Sequence, residues 1–345
     1  NGLKFINQEG VFFDANQNAQ LWQYLDNKIP PRENTDNTGK FDFIPDAIDF
    51  HINKIMELPI FNNIKQNSIL ATVDAVNSSG SIAVPKLLEK LGCSINPLYC
   101  DESGVFPHTP EPLPENLGDL CAAVKESNSQ IGIAVDPDAD RLVLIDERGN
   151  AIGEENTIVL AVWSVLEHSI NPSEISIVVN HSTTQTVEEI AATYSAKVHR
   201  SPVGEINVVK KMQATGAIIG GEGSGGVIYA PLHYGRDSLI GITLILGLMG
   251  KLNKKLSELK EMLPVNEMVK TKMPFTGEFA QLIGKIRFEY KDNKINEEDG
   301  IKIFFENSWI QIRKSNTEPI IRIIAEAKSR ESAENLIKKL ENIIK

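Results

Sequence analysis

The feature that most constrains this chain is a strand–helix–strand pattern that occurs twice, about a hundred residues apart. Ile69 to Val73 reads as a buried strand, Gly80 to Leu91 as a helix with Ile82, Val84, Leu87, Leu88 and Leu91 inward, and Cys93 to Tyr99 as a second strand. The same grammar returns at Ile175 to Val179, Thr183 to Tyr194 and Ala196 to Arg200. Residues 60 to 150 and 160 to 250 therefore read as two copies of one βαβ plan, alike in pattern with little residue identity. The amphipathic segment Glu154 to His168 links the copies, and a second one follows Asp237. Asp101 to Asn116, with Pro107, Pro110, Pro112 and Pro114, reads as an extended connection, because proline restricts itself and its predecessor.

Past Lys254 to Met262 and Pro264 the character changes. Ile301 to Phe305, Trp309 to Arg313 and Ile320 to Ala325 read as strands, and Glu331 to Ile344 as a closing helix. The expected fold class is α/β, with repeated α/β domains followed by a small α+β C-terminal domain. The expected boundaries are 1–150, 151–258 and 259–345, in keeping with a length of 345 residues.

Between the apolar runs Ile131 to Val135 and Leu142 to Ile145 lies Asp136-Pro137-Asp138-Ala139-Asp140-Arg141. Three carboxylates at alternate positions repel one another unless a cation joins them, and Mg²⁺ takes oxygen ligands while leaving positions for a phosphate. Arg141 is placed to act as counter-charge or phosphate contact. An EF-hand reading finds carboxylates at its first, third and fifth places and Glu147 at the twelfth, but Arg141 occupies the place that needs glycine, and the flanks are strand-like. A solvated acidic turn is the bland alternative.

Gly220-Gly221-Glu222-Gly223-Ser224-Gly225-Gly226 follows the strand-like Ala217 to Ile219. Its glycines let backbone approach a ligand, while Glu222 and Ser224 offer the hydrogen bonds that a sugar's hydroxyls require. No Gly-Lys-Ser/Thr follows, so it is not a Walker loop. Arg313-Lys314-Ser315-Asn316-Thr317-Glu318-Pro319, with Arg322 on the next strand, gathers cations, hydroxyls and an amide suited to phosphate. An incidental glycine-rich hairpin and a polar turn closed by Pro319 are the corresponding structural readings.

A net charge of −11 argues against nucleic acid or an anionic membrane as partner. No apolar run is long enough to span a bilayer. Cys93, Cys100 and Cys121 lack a pairing motif and suit a reducing cytosol, so a cytoplasmic location is expected.

The three loops, in this order and spacing, resemble those of the α-D-phosphohexomutases, which include phosphoglucomutase, phosphomannomutase and phosphoglucosamine mutase. The resemblance covers essentially the whole chain and implies the family's second, third and fourth domains. It implies Mg²⁺ on Asp136, Asp138 and Asp140, sugar contacts from Glu222 and Ser224, and a distal phosphate held by Arg313, Ser315, Asn316, Thr317 and Arg322. Lys4 and Arg141 are implied in catalysis, Lys4 by matching the family lysine near the catalytic serine. The implied reaction interconverts hexose or hexosamine 6-phosphate and 1-phosphate through a phosphoserine and a hexose bisphosphate, the latter as intermediate or activator. The family's Ser-His-Asn-Pro-like segment usually stands just before Asn-Gly-x-Lys, and here Asn1-Gly2-Leu3-Lys4 opens the chain. The expectation is therefore a piece of a longer protein, inactive alone, whose partner is the missing N-terminal domain. The Gly-Glu-Gly-Ser-Gly-Gly form of the sugar loop leans toward glucosamine phosphate, with phosphomannomutase/phosphoglucomutase or a non-catalytic sugar-phosphate-binding fragment as alternatives. A haloacid-dehalogenase-type phosphatase fits less well, since its motif wants Thr or Val where Asp140 stands.

Overall fold

Within a computed structural model, residues 3–27, 40, 42–59, 69–315 and 318–344 are described. Helices α1 (Ala15–Asn27) and α2 (Ala47–Met56) precede the first sheet unit. That unit runs β1 (Leu70–Asp74), α3 (Gly80–Lys90), β2 (Ser94–Tyr99), α4 (Gly118–Ser127), β3 (Ile131–Val135) and β4 (Leu142–Asp146). The second follows as α5 (Glu154–His168), β5 (Ser176–Asn180), α6 (Thr186–Thr193), β6 (Lys197–Ser201), α7 (Glu205–Thr215), β7 (Ile219–Glu222), β8 (Gly226–Tyr229) and α8 (Ser238–Leu252).

The two units share one topology. Their strand orders are β2-β1-β3-β4 and β6-β5-β7-β8. In each, the inner strand pairs in parallel with both neighbours and the last pair is an antiparallel hairpin. Parallel pairing needs a crossover, and α3 and α4 in one unit and α6 and α7 in the other supply it. The acidic loop and the glycine-rich loop are thus the turns of equivalent hairpins, β3–β4 and β7–β8.

One hydrophobic core runs through both units and includes Leu144, Leu160, Ile219 and Leu244. The expected amphipathic character of α5 gives way to burial on every side: Thr157 through Leu166 are all buried. The helix packs against α8 as well as against strands of both sheets, so it has no solvent face in its middle turns. Helix α8 is likewise buried from Ser238 through Met249. A hydrophobic run with small polar residues gives the same periodicity in either setting, and only the neighbours decide.

The C-terminal part consists of α9 (Leu256–Met262), β9 (Glu267–Pro274), α10 (Phe279–Glu289), β10 (Lys294–Asn296), β11 (Ile301–Phe304), β12 (Trp309–Lys314), β13 (Ile320–Ala327) and α11 (Arg330–Ile344). Its sheet is antiparallel, in the order β10-β11-β12-β13-β9, and it has its own core around Ile303, Ile312, Ile323 and Leu340. A polar interface fixes it to the second unit: Lys302 Nζ donates to the His181 carbonyl at 2.6 Å, Ser182 Oγ to Gln311 Oε1 at 2.9 Å, and Gln185 N to Glu326 Oε2 at 2.8 Å. The segment expected to be extended before residue 117 contains one short 3₁₀ turn, Pro114–Asn116. Cys93, Cys100 and Cys121 are free thiols. Among the described residues no helix is long and apolar enough to cross a membrane.

Candidate active site

The acidic loop is held in shape by its own first carboxylate. Asp136 Oδ1 accepts the backbone N–H groups of Asp140 at 3.1 Å and Arg141 at 3.0 Å, while Ser78 and Ser79 hydroxyls donate to the Pro137 carbonyl at 2.8 and 2.6 Å. These bonds curl the chain so that carboxylate oxygens of Asp136, Asp138 and Asp140 lie within 4.8 Å of one another. Asp136 and Asp140 are buried, and Asp138 is half exposed. Burial, added to by the charge of Asp140, pushes the Asp136 carboxyl up to about 7. Asp140 goes the other way: burial opposes its ionisation, but Arg236 and Lys4 outweigh burial and hold it below the usual carboxylate range. Asp140 Oδ1 is buried without a hydrogen-bond partner. A buried carboxylate oxygen without a partner, beside two further carboxylates, makes an all-oxygen donor set, so the residues fit Mg²⁺ or a similar hard ion.

Lys4 is brought to this loop from 134 residues before Asp138 in the sequence. Its ammonium donates to Asp138 and, at 2.9 Å, to Asp140 Oδ2. Arg141 Nε lies 3.4 Å from Asp136 Oδ2 and 3.9 Å from Asp140 Oδ1. Arg141, Ser224 and Lys270 line one cavity of about 120 Å³, which places a residue of the sugar loop and one of the acidic loop on the same space.

The two hairpins touch directly, with Leu142 N donating to the Gly225 carbonyl at 3.0 Å. Gly225 has φ +90° and a Cβ there would stand 2.5 Å from the Leu142 carbonyl oxygen, so glycine is required by both conformation and space. The sequence places the start of the glycine-rich loop too early: Gly220, Gly221 and Glu222 belong to β7, and only residues 223–225 form the turn. Where Gly223 lacks a side chain, the carboxylate of Glu155 fills the room. Lys270 Nζ is 2.7 Å from Glu155 Oε1 and thereby ties β9 to this spot.

Glu222 is buried and its oxygens have internal partners. Oε1 accepts from Asn180 Nδ2 at 2.9 Å and from the Gly204 N–H at 3.1 Å; Oε2 accepts from Arg236 Nη1 at 2.9 Å. Arg236, which sequence reasoning missed, also donates to Asp140 Oδ2 at 2.6 Å and lies 3.0 Å from Glu205 Oε2. Burial opposes the charge of this guanidinium, but Asp140, Glu222 and Glu205 together raise its pKa further above the ordinary arginine value. Its partners stand 14, 31 and 96 residues away in the chain, so no local pattern could have revealed it.

In the phosphate loop, Arg313 and Arg322 are register partners on adjacent strands β12 and β13. Arg313 Nε is 2.8 Å from Asp299 Oδ1, whereas Arg322 is more than half exposed and 3.8 Å from Glu318. The loop closes through Ser315, whose N–H donates to the Ile320 carbonyl at 3.0 Å and whose Oγ accepts from Glu318 N at 3.3 Å. Asn316 and Thr317 lie outside the described residues. Asp299 Oδ2 accepts from Val203 N at 3.0 Å, next to Gly204, which donates to Glu222. A polar path therefore runs from Arg313 through Asp299, residues 203–204, Glu222 and Arg236 to Asp140, joining all three loops.

Two tandem units with equivalent hairpins, a third sheet, and an acidic, a glycine-rich and a basic loop define a multidomain α/β enzyme with a cation-suited carboxylate site. Models of phosphoglucomutase/phosphomannomutase alpha/beta/alpha domain II, alpha/beta/alpha domain III and C-terminal domain match residues 49–149, 154–266 and 253–343. The chain belongs to the phosphoglucomutase/phosphomannomutase family, the α-D-phosphohexomutases. Similar proteins include a phosphoglucomutase/phosphomannomutase of Thermococcus kodakarensis, 33% identical over 100% of this chain and 76% of its own length. A probable phosphoglucosamine mutase of Methanococcoides burtonii is 35% identical over the same shares. Among solved structures, a phosphoglucomutase/phosphomannomutase family protein from Burkholderia thailandensis superimposes with a TM-score of 0.80 at 25% identity, covering 97% of this chain and 70% of that one. The chain is accordingly that of a phosphohexomutase, an isomerase of hexose phosphates.

Proposed function

We propose that this chain carries the metal, sugar and distal-phosphate sites of a phosphoglucosamine-mutase-like enzyme, divided among regions 1–150, 151–258 and 259–345. The observation that carries the reading is the polar path from Arg313 to Asp140, which supports one ligand addressed at both ends. Arg313, Arg322, Ser315, Asn316 and Thr317 bind the phosphate that is not reacting. Glu222 and Ser224 orient the sugar, and Arg141 faces the reacting phosphate from the cavity it shares with Ser224.

Asp136, Asp138 and Asp140 would hold Mg²⁺, which when bound neutralises charge on a transferring phosphoryl group. Lys4 stabilises charge or moves a proton beside the nucleophile. The nucleophile is a phosphoserine, a part that none of the loop residues named above takes. It gives its phosphoryl group to a hexosamine monophosphate, the resulting bisphosphate turns round, and the other phosphate returns to the serine. A clamp on a separate sheet suits this exchange, since it must accept either phosphate in turn.

The substrate lean rests on Gly223 and Gly226 in the sugar loop and on relatives such as the probable phosphoglucosamine mutase of Methanococcoides burtonii. The test is turnover of glucosamine, glucose and mannose 6-phosphates by the intact enzyme. Glucosamine 6-phosphate should give the highest kcat/KM, and an equal or higher value for glucose or mannose 6-phosphate would sink the substrate assignment.

A further inference from the structure

A second ligand cluster stands beside the acidic loop and is built of softer donors. His51, on α2, and His233, before α8, both direct Nε2 at the same oxygen, Asp237 Oδ2, at 2.8 and 3.2 Å. The two rings are 5.4 Å apart, and the three donor atoms lie within 4.8 Å of one another. The remaining oxygen, Asp237 Oδ1, caps α8 by accepting from Leu239 N at 2.8 Å and Ile240 N at 3.4 Å. That cap fixes the carboxylate and leaves one oxygen free to serve as a single-point ligand, the outer support that protein metal ligands usually have.

We propose that His51, His233 and Asp237 form a binding site for a transition-metal dication, with Zn²⁺ as the best match, separate from the Asp136, Asp138 and Asp140 cluster. Two imidazoles and a carboxylate are zinc ligands, whereas an all-oxygen set suits Mg²⁺. Tetrahedral zinc with bonds of about 2.0–2.1 Å separates its donors by roughly 3.3 Å, so the two imidazole–carboxylate spacings need only a small expansion. The alternative is an Asp cap that accepts hydrogen bonds from two imidazoles, one on each lone pair of Oδ2. What favours a metal is that both rings converge on that oxygen at the edge of open space. That space is a cavity of about 380 Å³ lined by the three ligands together with Asp138, Ser79 and Arg236. It leaves room for water to complete the coordination. It also places the site next to the acidic loop, with Arg236 adjacent to Asp237 in sequence and bonded to Asp140. The site would pin α2 to the entry of α8, since its ligands are 186 residues apart.

The test is calorimetric titration of untagged, chelator-treated protein with Zn²⁺ in saturating Mg²⁺, so that the all-oxygen site is already filled. Wild type should bind one equivalent. His51→Gln and His233→Gln keep a donor for Asp237 and remove an imidazole; each should weaken Zn²⁺ by roughly a hundredfold or more, beyond the 10–100-fold typical of outer-shell losses. Asp138→Ala should leave Zn²⁺ affinity in place. Thermal melts in metal-free buffer establish that the variants fold, and Co²⁺ substitution should give the intense visible absorption of tetrahedral cobalt in wild type and lose it in both histidine variants. No Zn²⁺ binding in excess Mg²⁺, unchanged affinity in both histidine variants, or loss of binding only in Asp138→Ala would each overturn the proposal.

Discussion

Arg236 Nη2 donates to Asp140 Oδ2 at 2.6 Å, so a guanidinium at the entry of α8 in the second sheet unit neutralises a carboxylate in the turn of the first. The same group meets Glu222 in the glycine-rich hairpin. One largely buried cation thus sets the relative position of two hairpins that come from separate copies of the fold.

Replacing Arg236 by Met should therefore cost more than a surface ion pair. Removing one partner from a buried network leaves carboxylates uncompensated and typically costs about 3–5 kcal/mol. Urea unfolding of wild type and Arg236→Met measures this, and a loss below about 1 kcal/mol, the range of exposed pairs, would show that the contact is not structural.

Asp138 is the most exposed of the three acidic-loop carboxylates, with half of its side chain open, and can be altered with little effect on packing. Asp138→Ala should weaken Mg²⁺ binding by roughly tenfold or more, because a hard ion loses a charged oxygen ligand. Isothermal calorimetry decides the matter, and equal affinities would remove Asp138 from the ligand set.

Arg313→Lys keeps charge but loses the forked donor geometry that matches phosphate. A charge-assisted bond is worth about 1.5–3 kcal/mol, or on the order of tenfold or more in affinity. Binding of glucosamine 6-phosphate should fall while binding of glucosamine stays the same. Equal losses for the two ligands would place phosphate recognition elsewhere.

His108 gives the fold a pH dependence of known sign. Burial works against its charge, but the Thr109 carbonyl at 2.8 Å and Asp74 Oδ2 at 2.9 Å prevail, and its pKa is raised above the usual histidine value. A raised folded-state pKa contributes stability that is complete below the unfolded value of about 6.5 and is lost as pH rises through the folded value. The stability difference between wild type and His108→Gln should thus be largest in mild acid and shrink on going alkaline. Denaturation midpoints across that interval test it, and a difference that grows with pH would contradict the pairing.

Much of this architecture was legible because it depends on local pattern. The repeated strand–helix–strand runs located β1, α3 and β2 and then β5, α6 and β6, since side-chain periodicity and strand or helix geometry are set over a few residues. Helix α5 falls at Glu154–His168 as its periodicity predicts, yet its complete burial was not foreseeable, because burial depends on what packs against both sides. The acidic, glycine-rich and basic loops were recognisable as short motifs for the same local reason. Helices α4 and α7 were not read, as their weaker apolar stripes follow connections dominated by proline and polar residues.

By itself the sequence determined the two strand–helix–strand runs, the closing strands and helix, and the three chemical loops with their residue types, because each is encoded within a contiguous stretch. Only the tertiary structure decided that the acidic and glycine-rich loops occupy equivalent hairpins and meet at Leu142 and Gly225. It alone joined Arg236 to Asp140, Glu222 and Glu205, and brought His51 across 186 residues to Asp237. Such partnerships arise from the packing of two whole sheet units around a shared core, and a pairing made by packing leaves no mark on the residues beside either partner.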